Sequence, residues 1–178
     1  MPRITPHLLC IGLLAAVLGG CLTTSSLTVA PPVTPIAEVD QTASNARLRV
    51  VSGAGVVRAA SGKKCLSDSA PDTGVILGGK GDLHGQSRNM PDPERIGGRP
   101  FAELYIAAGK PFVLNFLVGP ESSARCALAG FFVPRAGKDY EAYATVSDGK
   151  CALTVRLKNL ANGLWKPERL VSAPNCKR

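Results

Sequence analysis

The chain predicts an all-β fold, an antiparallel β-sandwich braced by two disulfides. Three observations carry this. About eight short apolar segments are separated by glycine-, proline- or asparagine/aspartate-bearing turns every 8–12 residues. Several segments alternate apolar and polar residues with the period of a half-buried strand. Helical spacing occurs only around Leu157, Leu160 and Leu164, where Gly163 and Pro167 interrupt it.

The first strand candidates are Arg47–Val51 and Val56–Arg58, divided by Ser52-Gly53-Ala54-Gly55, and then Val75–Leu77 between glycines. Phe101–Ala107 and Phe112–Val118 follow, joined by the hairpin-length turn Ala108-Gly109-Lys110-Pro111. In the second, alternation puts Phe112, Leu114, Phe116 and Val118 on one face and Asn115 on the other. Next come Arg125–Val133 and Tyr140–Val146. Asp148-Gly149 is a strong hairpin signal, after which Cys151, Leu153, Val155 and Leu157 share a face. A short strand near Leu170-Val171 ends the series before Cys176.

The N-terminus has a different character. Arg3, the apolar stretch Leu8 to Leu18 and Gly19-Gly20 form a secretory signal over residues 1–20. The stretch is too short to span a bilayer, which takes about 20 apolar residues. Because Cys21 directly follows the small pair, Leu18-Gly19-Gly20-Cys21 resembles the lipobox of bacterial lipoproteins. That resemblance implies diacylglycerol on the Cys21 thiol, cleavage before it and acylation (palmitate among the chains) of the new amino terminus. Each buried methylene adds about 0.8 kcal/mol, so several chains hold a protein on a membrane persistently. Leu22 in place of aspartate resembles the outer-membrane sorting pattern of that family. The rival reading, cleavage by an ordinary signal peptidase, leaves Cys21 a free thiol. Residues 21–46 are rich in Thr, Ser, Ala and Pro and read as the acylated cysteine and a flexible tether, leaving 47–178 as the sandwich domain.

Of six cysteines, Cys10 leaves with the signal and Cys21 is acylated. Cys65, Cys126, Cys151 and Cys176 remain, an even set in an oxidising compartment. No CxxC spacing supports zinc. Three pairings are open; Cys126–Cys151 with Cys65–Cys176 is preferred, one tying strands of the core and the other tying the domain start to its tail.

The chain carries 21 Lys+Arg against 13 Asp+Glu, and only Arg3 is lost with the signal. A basic surface favours membrane lipid, an anionic envelope polymer or an acidic envelope protein. Its charges are dispersed, with no basic run longer than two residues, and no aromatic row accompanies them, so nucleic acid is not expected as a partner.

Phe132-Val133-Pro134-Arg135-Ala136-Gly137-Lys138-Asp139-Tyr140 resembles the corner before strand F of immunoglobulin-like and fibronectin-like sandwiches. The resemblance implies an immunoglobulin-like or transthyretin-like sandwich. In it the Tyr140 hydroxyl turns back to an upstream backbone group, and Ala142, Ala144 and Val146 point inward with the ring. The stretches Ala108–Pro111, Ala136–Glu141 and Gly149–Cys151 together resemble a set of small proteobacterial lipoproteins of uncharacterised function. That resemblance brings no catalytic residues.

Chemistry-bearing groups are scarce. His84 is the only histidine beyond the signal, so a Ser-His-Asp triad would depend wholly on it, and no GxSxG accompanies it. Gly74 to Gly81 matches the start of a phosphate-binding loop, but position 81 is Gly where a hydroxyl would bind magnesium, and Val75-Ile76-Leu77 reads as a buried strand. Asp92, Glu94 and Glu103 lack an aromatic platform for glycoside chemistry. No cofactor or metal is expected, and an enzyme is not. The 23-residue segment from Gly78 to Pro100, carrying Lys80, His84, Arg88, Arg95 and Arg99, is the candidate binding surface; a plain solvated loop is the alternative. The expected role is that of a lipid-anchored, outer-membrane lipoprotein with a non-catalytic binding or structural function. Two alternatives stay open, an accessory lipoprotein subunit of a secretion or envelope assembly and a protein inhibitor of an envelope or host hydrolase.

Overall fold

A computed structural model describes residues 34–66, 73–119 and 125–176. The signal, Cys21 and residues 22–33 of the tether lie outside the described residues. Among the described residues, ten strands run in order β1 (Asn45–Ser52), β2 (Val56–Ser61), β3 (Thr73–Leu77), β4 (Phe101–Ala107), β5 (Phe112–Val118), β6 (Cys126–Phe132), β7 (Asp139–Ser147), β8 (Lys150–Lys158), β9 (Trp165–Glu168) and β10 (Val171–Ser172). They form two five-stranded sheets, ordered β4-β1-β7-β8-β9 and β10-β6-β5-β2-β3. The fold is thus the expected all-β sandwich with two disulfides.

Alternation builds the core. Leu48 and Val50 of β1, Leu104 of β4, Tyr140, Ala142 and Ala144 of β7, and Val155 and Leu157 of β8 face the second sheet. There they meet Val57, Ala59, Phe112, Leu114, Phe116 and Phe132, all buried. Each large apolar side chain removed from water in this way contributes about 1.5–3 kcal/mol. The corner forms as its sequence implies: Tyr140 is fully buried, and its hydroxyl oxygen accepts the Arg135 amide N–H at 3.0 Å. Asp148 and Gly149 adopt φ of 50° and 71°, the left-handed pair that a two-residue hairpin between β7 and β8 requires.

Four details differ from the expectation. The sandwich is not wholly antiparallel, because β1 enters between β4 and β7 and runs parallel to β7. The turn Ala108–Pro111 is not a hairpin; it passes between sheets, since β4 pairs with β1 while β5 pairs with β2 and β6. Trp165–Glu168, whose Pro167 suits an edge, forms β9 against β8.

The last difference concerns residues 34–46, expected as tether, which pack on the sandwich. The Ile36 amide donates to the Val75 carbonyl at 3.1 Å, Val75 N–H donates to Thr34 at 2.9 Å, and Ile36 is buried in the core. Gly74 permits this approach: a β-carbon there would lie 2.2 Å from the Ile36 Cα.

Cys126–Cys151 joins β6 to β8 and so staples one sheet to the other. Cys65–Cys176, with Cα atoms 4.9 Å apart, secures the tail beside the Leu66–Asn175 bridge. Both are the preferred pairings.

Candidate functional site

The outer face of the first sheet carries ions where its alternation promised solvent. Register places Arg49 of β1 between Glu103 of β4 and Glu141 of β7. Its guanidinium lies 2.7 Å from each carboxylate, and all three side chains are at most 2% exposed. Arg49 also donates to the Met90 and Asp92 carbonyls at 3.0 and 3.3 Å, so its fork is filled by two acids and two backbone oxygens. One row along, Arg47 forms a bidentate pair with Asp139, at 2.7 and 2.9 Å.

Segment 78–100 excludes water from this layer. It lies along the sheet as a strap, fastened where its own groups meet the carboxylates. Glu103 accepts N–H bonds from Arg88 at 2.5 Å and Met90 at 3.2 Å, and the Ser87 hydroxyl at 3.1 Å. Met90 and Ile96 are buried beneath it. Farther along, Asp92 holds a left-handed backbone ahead of a short 3-10 turn, Pro93–Ile96. Its carboxylate receives the Lys158 ammonium and, at 2.7 Å, the Trp165 indole N–H. At the upstream end Arg88 makes a two-pronged pair with Glu38, at 2.7 and 2.5 Å.

These bonds set the acid behaviour. Burial alone would raise the Glu103 carboxyl, but the Arg88 and Met90 amides and Arg49 outweigh it and hold it below its ordinary range. Glu38 follows the same balance, burial opposed by Arg88, the Tyr105 amide and Gln86. Asp92 is lowered by its bond from Lys158 and then by Trp165. A carboxyl whose folded pKa is depressed contributes stability fully present above its unfolded value, which is lost as pH falls through the folded one. The strap is therefore expected to loosen below about pH 4, the ordinary carboxyl range. Amide exchange of Arg88 and Met90 should accelerate there ahead of amides in β5. Simultaneous exchange of both regions would show that the strap has no separate transition.

The five residues expected to bind are not one site. Lys80 and His84 are exposed at the start of the strap, and the His84 imidazole has no hydrogen bond among the described residues. Arg88 is committed to Glu38. Arg95 and Arg99 do come together, with residues the sequence reading passed over. Tyr143 and Thr145 of β7 and Thr154 and Arg156 of β8 line with them an open groove of about 410 Å³. Arg99 lies 5.1 Å and Arg156 5.7 Å from the Tyr143 ring centroid. The Asp148-Gly149 hairpin held the missed signal, since it sets Tyr143 opposite Thr154 and Glu141 opposite Arg156.

Charge in the groove is uneven. Glu141 takes Arg95 at 3.2 Å besides Arg49, and it accepts the Tyr143 hydroxyl at 3.2 Å. Burial, followed by the Glu141 charge, raises the Tyr143 phenol. Arg99 donates to the carbonyls of Ile96 and Arg95 at 2.9 and 3.0 Å. Among the described residues, neither Arg99 nor Arg156 has a carboxylate partner. Also among them, no three His, Cys, Asp or Glu side chains gather as a metal site would need. The chain matches no protein-family model and no curated protein.

Proposed function

We propose that the protein is a lipid-anchored lipoprotein of the outer membrane whose sandwich has a non-catalytic binding role in the cell envelope. The Leu18–Cys21 motif supports the anchor, and two disulfides suit an oxidising compartment. One observation carries the binding role: among the described residues, Arg99 and Arg156 have no acid partner, on a floor fixed by buried ion pairs. A preformed cationic face of this kind favours an anionic polymer or an acidic envelope protein.

The reading as an accessory subunit of an envelope assembly draws on a second feature. Leu160 and Leu164, 62% and 65% exposed, form an apolar turn between β8 and β9. Inhibition of a hydrolase has less to support it, because the strap is pinned to the domain at Arg88, Met90 and Asp92.

The test places a photo-crosslinking residue at Thr154 in the full chain, expressed in a Gram-negative envelope. Membrane-associated protein should give an adduct with an envelope component, and Cys21→Ser should release the chain from the membrane fraction. Labelling no stronger than from a probe at Ala127, on the other sheet, would refute the binding role. Unchanged membrane association of Cys21→Ser would refute the anchor.

A further inference from the structure

We propose that the groove bounded by Arg95, Arg99, Arg156 and Tyr143 is a binding site for a phosphate monoester. This deepens the binding role above and rests on it for taking this face as the recognition surface.

Charge matching comes first. Beneath the groove, Arg49 and Arg95 are balanced by Glu103 and Glu141, in direct contact. Arg99 and Arg156 are then two cations in excess at the surface. A phosphate monoester carries a charge of about −1.5 to −2 near neutral pH and three strong acceptor oxygens. A carboxylate offers one charge and two oxygens, which leaves one of the two arginines uncompensated.

Geometry and donors agree with this. Arg99 is aimed by two backbone carbonyls, Ile96 and Arg95, while its remaining guanidinium N–H groups stay available. Arg156 projects from β8 and has Tyr143 within reach of its guanidinium plane. The Arg99 fork therefore has a restricted orientation before any anion arrives, which lowers the ordering cost of binding. Because the Tyr143 hydroxyl proton is directed to Glu141, Tyr143 contributes its ring and not a donated bond. The Thr145 and Thr154 hydroxyls, which line the same groove, are the neutral donors. The open mouth suits a phosphoryl group presented on a larger molecule, whether a phosphorylated sugar or a lipid headgroup.

The test is calorimetric titration of the full acylated chain in detergent, in phosphate-free buffer of about 0.1 M ionic strength. Probes are glucose 1-phosphate, glucose, inorganic phosphate and short-chain dihexanoyl phosphatidic acid. Glucose 1-phosphate should bind, inorganic phosphate should compete and glucose should not bind. Arg99→Gln and Arg156→Gln should each weaken binding roughly tenfold or more, as expected for loss of a charge-assisted contact. Lys110→Gln removes the same charge from a distant turn and should leave affinity within about twofold, because exposed charges beyond a Debye length of about 10 Å are screened. The thermal melt of Arg156→Gln should match the parent, since Arg156 has no hydrogen bond or ion pair among the described residues, whereas Arg99→Gln loses two bonds to strap carbonyls and should melt slightly lower.

Binding of dihexanoyl phosphatidic acid with the same arginine dependence would identify a lipid headgroup as the source. Its failure beside a sugar phosphate that binds would identify a glycan phosphate. No phosphate binding at millimolar concentration overturns the proposal, as does an equal loss in Lys110→Gln. A Thr154 crosslink that persists in that case leaves the broader binding role standing without its phosphate ligand.

Discussion

Replacing Arg49 with methionine is expected to destabilise the domain by about 3–5 kcal/mol, the range for breaking a buried ion pair from one side. The substitution leaves Glu103 and Glu141 facing each other across β1 without their shared cation, both almost fully buried. Arg95 still touches Glu141, and the strap amides still serve Glu103, so neither acid is wholly abandoned. Even so, the central guanidinium is the group that contacts both. The variant should also invert part of the acid response. With the cation gone, protonating a carboxyl relieves repulsion, so the gap between variant and parent should narrow as pH falls from 7 toward 4. Equilibrium urea unfolding at both pH values measures this. A loss under about 1 kcal/mol at pH 7 would mean that the strap simply opens and rehydrates the acids, at the cost of an exposed surface pair.

The second large effect is expected from the disulfides. Cys65 and Cys176 are 111 residues apart in sequence, whereas Cys126 and Cys151 are separated by 25. In the chain-entropy account the longer closed loop contributes about 4.7 kcal/mol and the shorter about 3.5. The paired variant Cys65→Ser/Cys176→Ser should therefore lose more stability than Cys126→Ser/Cys151→Ser, by about 1 kcal/mol. Denaturant midpoints of the two double variants, compared at equal slope, decide it. A larger loss from Cys126→Ser/Cys151→Ser would show that joining the two sheets matters more than restricting the unfolded chain.

Much of the fold is legible in the chain because burial on one side of a strand writes itself as alternation. Phe112, Leu114, Phe116 and Val118 define β5 at both ends, and Asp148-Gly149 marks the β7–β8 turn without ambiguity. Trp165–Glu168 is only four residues long with an internal proline, so β9 leaves no periodic trace and is recruited by the ladder of β8. The site was harder to read for a different reason. Arg47-Leu48-Arg49-Val50 correctly assigns the arginines to the face away from the core. Nothing local says that a segment some 40 residues on will cover that face, or that Glu103 and Glu141 will arrive on either side. Alternation specifies which way a side chain points and not what it meets. Arg95 and Arg99 were found as members of a basic loop; Arg156 belonged to a strand and had to be located through its hairpin register.

The central position of β1 also has a consequence in time. β1 and β7 are neighbours in the sheet although about 90 residues of chain separate their starts, and contacts of such separation form slowly. The four longer strands of the second sheet all precede β7 in the chain, and of the two neighbours of β1 only β4 does. A chain with β4 docked but not β7 offers Arg49 only Glu103, and Glu141 comes within its reach with β7. The first sheet is thereby centred on its earliest strand in the chain and needs a much later one to complete it. Only the β4-β1-β7 order sets both acids beside Arg49, so a misordered sheet would leave a buried charge short of its partners.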